Sequence, residues 1–178
     1  MDIKYALLGF LSWKSFSGYE LKKIFADSPY FYWSGSNNQI YRTLLQFHKE
    51  GLVDVTVEQD PPRPPRKMYT INERGREELK KQVESAPELP QIRNSFLAQL
   101  AWADLLDADE MTALLDAYRH EVEMHITMLE EKERRGTTRP RRNTREELLW
   151  DMVSANIMHS YHSELEWIDT VKTKLEEV

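Results

Sequence analysis

The 178-residue chain has no cysteine. A disulfide framework and thiolate chemistry are therefore excluded, and a reducing compartment fits. Six glycines and eight prolines are too few for a disordered chain. No apolar run approaches the roughly 18 residues that span a bilayer. The start, Met1-Asp2-Ile3-Lys4, lacks the basic region, apolar stretch and cleavage site of a signal peptide. No Asn-x-Ser/Thr acceptor occurs, and there is no nucleophile motif, P-loop or glycine-rich phosphate cradle. Carboxylates are plentiful, yet nothing singles out a pair for acid–base work. The expectation is a soluble cytoplasmic protein that is not an enzyme, carries no cofactor and has no membrane partner.

Hydrophobic residues make up 40% and charged residues 30% of the chain, enough for one ordinary domain or two small ones. The net charge of −6 is unevenly spread. Residues 1–84 carry 13 Lys/Arg against 11 Asp/Glu, while residues 85–178 carry 11 against 19. A mildly basic half joined to an acidic one suggests a division of labour, and local patches govern binding more than the total does.

Residues 36–51 organise the first half. Small polar residues open this stretch and Gly51 closes it, as suits the two ends of a helix. Ile40, Leu44 and Phe47 recur at helical spacing and seek a core. Asn37, Asn38, Gln39 and Arg42 crowd the first turns with amides and a guanidinium. A solvated helix start is the plain reading, but such groups also pair with base edges and phosphates in a DNA major groove. Upstream, residues 3–12 read as a mostly buried helix, with Trp13 and Phe16 extending its core. Residues 19–25 read as a short amphipathic helix with Leu21, Ile24 and Phe25 inward and Lys22 and Lys23 outward. Residues 27–35 read as an aromatic-rich loop.

Downstream the period changes. Residues 52–58 alternate and are β-branched, which reads as a strand, and residues 66–71 read as a second strand, so the two predict a hairpin. Between them, Asp60-Pro61-Pro62-Arg63-Pro64-Pro65 can be neither strand nor helix. Alone it could be a polyproline ligand; flanked by strands it reads as a stiff wing tip. Arg63, Arg66 and Lys67 would lie along phosphate or enter a minor groove, and the prolines limit the entropy lost when those side chains are placed on DNA. Asn72 can cap a following helix, in which Leu79 and Val83 are four residues apart. Three helices, a hairpin and a further helix make a winged helix-turn-helix.

The motifs Tyr5-Ala6-Leu7-Leu8-Gly9-Phe10-Leu11, Gly18-Tyr19-Glu20-Leu21, Gln39-Ile40-Tyr41-Arg42-Thr43-Leu44 with Glu50-Gly51-Leu52-Val53, and Arg66-Lys67-Met68-Tyr69-Thr70-Ile71 followed by Gly75 resemble the PadR-type transcriptional regulators. That family is named for repression of a phenolic acid decarboxylase gene. The resemblance covers nearly all of residues 3–84. It implies a dimer whose third helix enters the major groove while the wing tip meets the backbone or minor groove. Carried onto this chain, it points to Asn37, Asn38, Gln39, Tyr41 and Arg42 on the helix and to Arg63, Arg66 and Lys67 on the wing. Asn72 stands where the family usually has threonine, and the wing tip is richer in proline than usual.

The second half reads as helical after a linker at residues 86–90. From Gln91, Ile92, Phe96, Leu97, Leu100, Ala101 and Leu105 mark one amphipathic helix. Asp107 or Asp109 then caps another, with Met111, Leu115, Tyr118, Val122, Ile126 and Leu129 on one face. A basic loop at residues 134–142 precedes a last helix from about Thr144 to Glu176. Its inward residues are Leu149, Val153, Ile157, Tyr161, Leu165, Ile168, Val171 and Leu175. Two such stripes cannot hide against each other alone, so a homodimer interface is expected. The larger C-terminal domain of one PadR subgroup is similar in length and character. Two recognition helices about 34 Å apart would then match a palindromic operator.

His159, His162 and Glu166 could share a helix face, as could His120 with Glu121 or Glu123. Without a further ligand these read as surface or interface residues rather than a metal site. Trp102, Trp150 and Trp167 read as core or interface. The resemblance adds the alternative of a pocket for a small aromatic or phenolic effector.

The expected fold is mainly α with a small β-hairpin: a winged helix-turn-helix DNA-binding domain at residues 1–85 and a helical dimerisation domain at 86–178. The expected function is a homodimeric repressor of double-stranded DNA that an effector releases. The rival is a winged-helix protein-interaction adaptor without specific DNA binding.

Overall fold

A computed structural model of the protein describes residues 3–27, 37–59, 64–89, 94–136 and 140–177. The chain forms two compact units, divided between Glu88 and Leu89.

In the first unit α1 (Ile3–Leu11) buries six of its nine residues, as a helix with an apolar surface on most sides must. After it, β1 (Phe16–Ser17) leads directly into α2 (Gly18–Asp27). A reciprocal cap starts α2: Glu20 N–H donates to Ser17 Oγ (3.2 Å), while Ser17 N–H and Oγ–H donate to Glu20 Oε2 (2.8 and 2.7 Å). Leu21 and Phe25 face inward, and Phe25 meets the ring of Phe10 edge-on.

Helix α3 (Asn37–Lys49) follows, and its end is closed by Gly51 at φ +68°. Leu52 N–H donates to Phe47 O (2.9 Å) and Gly51 N–H to His48 O (3.1 Å), the paired bonds of a Schellman ending. Strands β2 (Val53–Glu58) and β3 (Arg66–Ile71) then form the hairpin. The sheet is antiparallel in the order β1-β3-β2, with Val53 opposite Ile71 and Glu58 opposite Arg66.

Asn72 caps α4 (Glu73–Val83), its Oδ1 accepting from Gly75 N–H. Its Nδ2 donates to Gly51 O (3.1 Å), tying the ends of α3 and β3 together. Gly75 is required by contact, since a Cβ there would sit 2.2 Å from Leu52 O. The core gathers Leu7, Leu11, Leu21, Leu44 and Phe47 with Val53, Tyr69 and Ile71 of the sheet. Each large apolar side chain so buried contributes roughly 1.5–3 kcal/mol.

Three expectations need correction. Phe16 and Ser17 form a third strand, too short to leave any periodicity. On α4 only Leu79 packs on the core; Val83 is 77% exposed. The helix expected through Leu105 is broken into α5 (Ser95–Leu100) and a 3₁₀ turn (Ala103–Leu105). Asn94 caps α5, the chain leaves that helix at Ala101, and the extended Leu106 and Asp107 separate the 3₁₀ turn from the next helix. Phe96 is buried, but Leu97, Trp102 and Leu105 are exposed; Ile92 lies outside the described residues.

The second unit is built on α6 (Ala108–Arg135) and α7 (Thr144–Glu176). Asp107 and Glu110 form a capping box on α6, and Asn143 caps α7. The helices run antiparallel, with Arg119 paired to Asp169 and Lys172 to Asp116. Val122, Ile126 and Ile168 form their buried centre. Of the stripe expected on α7, Ile157, Tyr161, Leu165 and Val171 are half-buried, whereas Leu149, Val153 and Leu175 are exposed within the single chain. Among the described residues, no helix is long and apolar enough to cross a membrane.

Candidate nucleic-acid interface

Helix α3 has two faces set by its period. Ile40, Thr43, Leu44 and Phe47 are buried against the core. Asn38, Tyr41, Arg42, Leu45 and Lys49 are exposed, and Gln39 is half-buried at the flank. Asn38, Arg42, Leu45 and Lys49 follow one another at four, three and four residues, so they line one side of the helix. That strip carries an amide, a guanidinium, an aliphatic group and an ammonium. Between them they can pair with base edges, touch a thymine methyl and neutralise phosphate.

Leu45 and Lys49 were absent from the sequence reading, although counting the helical period on from Asn38 reaches both. Tyr41 is also held by packing. A Cβ on Gly18 would come within 2.5 Å of its ring, so the glycine lets α3 lie close to the start of α2.

The hairpin separates its cations. Residues alternate faces along a strand, so Lys67 lies opposite Val57 on the face that also carries Tyr69 and Ile71. Lys67 is exposed at the end of that face. Arg66 lies on the other face, across from Glu58. Its Nε donates to Glu58 Oε2 (2.6 Å), and its Nη1 is 3.9 Å from Glu20 Oε1. Burial acts to raise the Glu20 carboxyl, but the Ser17 hydrogen bonds and the charges of Arg66 and Lys14 hold it below its ordinary value. Asn37 opens α3. Arg63 lies outside the described residues.

The other constellations are less suggestive of chemistry. His159, His162 and Glu166 are exposed on α7, and among the described residues no group of three or more His, Asp or Glu could hold a metal. In the last turn of α6, where a loop was expected, Arg134 and Arg135 both bind Glu131; ahead of α7, Arg142 binds Glu146 and Arg141 lies 3.7 Å from Glu147. The two arginine hydrogen bonds bring the Glu131 carboxyl down to about 2.

A cleft of about 370 Å³ opens in the helical unit, lined by Asn94, Ser95, Tyr118, Val122, Tyr161 and Glu164, among others. Tyr118 stacks on Phe96 at 3.7 Å. Its hydroxyl accepts from Asn94 Nδ2 and donates to Glu164 Oε2, each at 3.0 Å.

Comparison with known proteins decides the family. The model of the "transcriptional regulator PadR-like family" matches residues 7–81, and that of the "virulence activator alpha C-term" matches residues 92–176. Together they account for both units. The chain belongs to the PadR-like family of transcriptional regulators.

Among the relatives of this PadR-like chain, a probable transcriptional regulator of Mycobacterium tuberculosis is 37% identical over 79 residues, covering 44% of this chain and 42% of that one. The negative transcriptional regulator PadR of Bacillus subtilis is 26% identical over 113 residues, covering 63% and 62%. The matched stretches thus span less than two thirds of either relative. The Bacillus subtilis protein solved in complex with operator DNA shares the fold, with TM-score 0.81, 20% identity and 95% of each chain covered. The same protein in complex with p-coumaric acid gives TM-score 0.77, with 98% of each chain covered. A PadR-like regulator from Bacillus cereus is 27% identical, with TM-score 0.73 and 99% of both chains covered.

Proposed function

We propose that this PadR-like chain is a cytoplasmic homodimeric repressor that binds a palindromic operator through the exposed strip of α3. The observation that carries this reading is the strip itself. Asn38, Arg42, Leu45 and Lys49 stand on one side of a helix whose other side is locked into a winged helix-turn-helix core. In this reading Asn37, Asn38 and Gln39 read bases near the helix start, Tyr41 and Leu45 supply apolar contact, and Arg42 and Lys49 hold phosphate. Lys67 and Arg63 extend the phosphate contacts along the wing. The Bacillus subtilis relative's complex with operator DNA supports the same use of the fold.

Dimerisation rests on apolar surface. Leu148, Leu149, Met152 and Val153 in the first half of α7 are each 44–57% exposed. A patch of that kind marks an interaction surface, and a two-fold partner would cover it with a copy of itself. The effector in this reading is a small aromatic molecule, as the relative's p-coumaric acid complex suggests. The cleft beside Tyr118 is a place for it. A ligand that fits only dimers with mis-spaced recognition helices would release DNA without touching it.

Chemical footprinting of the region upstream of the protein's own gene tests the reading. The expected result is two protected half-sites whose centres lie one helical turn, roughly 34 Å, or a multiple of it, apart. Uniform protection, or none with folded protein across candidate operators, would favour an adaptor that docks proteins instead.

A further inference from the structure

Resting on the DNA-binding reading, we infer that Arg66 is a positioning residue that clamps the root of the wing to the start of α2, rather than a phosphate ligand. Arg66 is the first residue of β3, where the chain returns from the proline-rich tip. Among the described residues, two carboxylates engage its guanidinium: Glu58, directly across the hairpin at 2.6 Å, and Glu20, on α2 at 3.9 Å. Glu20 is itself fixed, because its second oxygen takes both hydrogen bonds from Ser17. Ser17 lies in β1, paired with β3 at Met68.

One guanidinium thus joins β2, β3 and the helix-turn-helix, and two negative charges surround its single positive one. A phosphate approaching Arg66 would meet those carboxylates before it met a free cation. Lys67, the next residue, is exposed on the opposite face of the strand, and among the described residues no carboxylate is paired with it. The adjacent cations therefore divide the work, Lys67 meeting phosphate and Arg66 aiming the wing.

Fluorescence anisotropy on the operator, titrated with salt, separates these roles. A phosphate contact contributes about −0.9 per protomer to the slope of log K against log salt. Arg66→Met should weaken binding on the order of tenfold and leave the slope unchanged, whereas Lys67→Met should make it shallower by about 0.9 per protomer. Arg66→Lys keeps a charge for the carboxylates and should recover part of the affinity.

Glu58→Gln gives the sharpest contrast. Removing a negative charge near DNA should tighten binding on electrostatic grounds alone, but loss of the clamp should weaken it several-fold. A shallower slope in Arg66→Met, or tighter binding in Glu58→Gln, would overturn the inference while leaving the DNA reading intact. Wild-type protein that binds no duplex with salt dependence would overturn that reading, and the inference with it.

Discussion

At the start of α2 one carboxylate serves two structures. Glu20 accepts both Ser17 hydrogen bonds and faces Arg66. Its pKa lies below the ordinary value in the fold, so the ionised form is favoured by folding. That contribution is complete above the unfolded-state pKa of about 4.3 and is lost as pH falls through the lower folded value. Glu20→Gln should therefore cost about 1 kcal/mol at most at pH 7, the charge-assisted part of hydrogen bonds in a partly exposed setting. The difference from wild type should shrink as the medium is acidified below about pH 4. Urea denaturation of both proteins at several pH values measures this. A gap that widened in acid would contradict the assignment. Composition and spacing expose a cation such as Arg66 as a candidate, but not the carboxylates that occupy it. Glu20 is 46 residues away in sequence and meets Arg66 only through the fold.

The elements were legible where local chemistry decides them. β3 spans the second strand read over residues 66–71, the Asn143 cap starts α7 at Thr144, and Gly51 ends α3 as its place in the sequence suggested. Tertiary contacts set the rest. Two residues of β1 pair with β3 although no pattern announces a strand, and α5 stops at Leu100, well before Asp107 caps the following helix. The exposed strip of α3 was half legible: Asn38 and Arg42 stood out by type, while Leu45 and Lys49 join it only by period. Glycines show the same division. A Cβ at Gly75 would clash with Leu52 O at 2.2 Å and Ile71 Cγ1 at 2.7 Å, yet a Cβ at Gly9 in α1 meets nothing within 4 Å. Gly75→Ala should push α4 off the sheet and cost about 1–3 kcal/mol. Gly9→Ala should stabilise by roughly 0.5–1 kcal/mol, since alanine loses less backbone entropy in a helix. Thermal melts of the pair check both signs, and a neutral Gly75→Ala would refute the close packing.

At the scale of the molecule, charge and apolar surface are divided between the two units. The first holds the exposed cations of α3 and β3 around a compact core, while the second is acidic and leaves much of α7 uncovered. An overall charge of −6 is compatible with DNA binding because screening limits each charge's reach to about 10 Å at 0.1 M salt. A local basic strip can then act without the whole chain being basic.

The central claim is that this strip recognises a particular duplex. The most direct test is fluorescence anisotropy of the full chain with a labelled duplex from upstream of its own gene, beside a scrambled duplex, over about 50–200 mM salt. Binding to the native duplex should be the tighter, with affinity falling about a hundredfold or more across that range. Arg42→Ala should make the slope shallower. Equal affinity for both duplexes, or affinity indifferent to salt, would contradict the central claim.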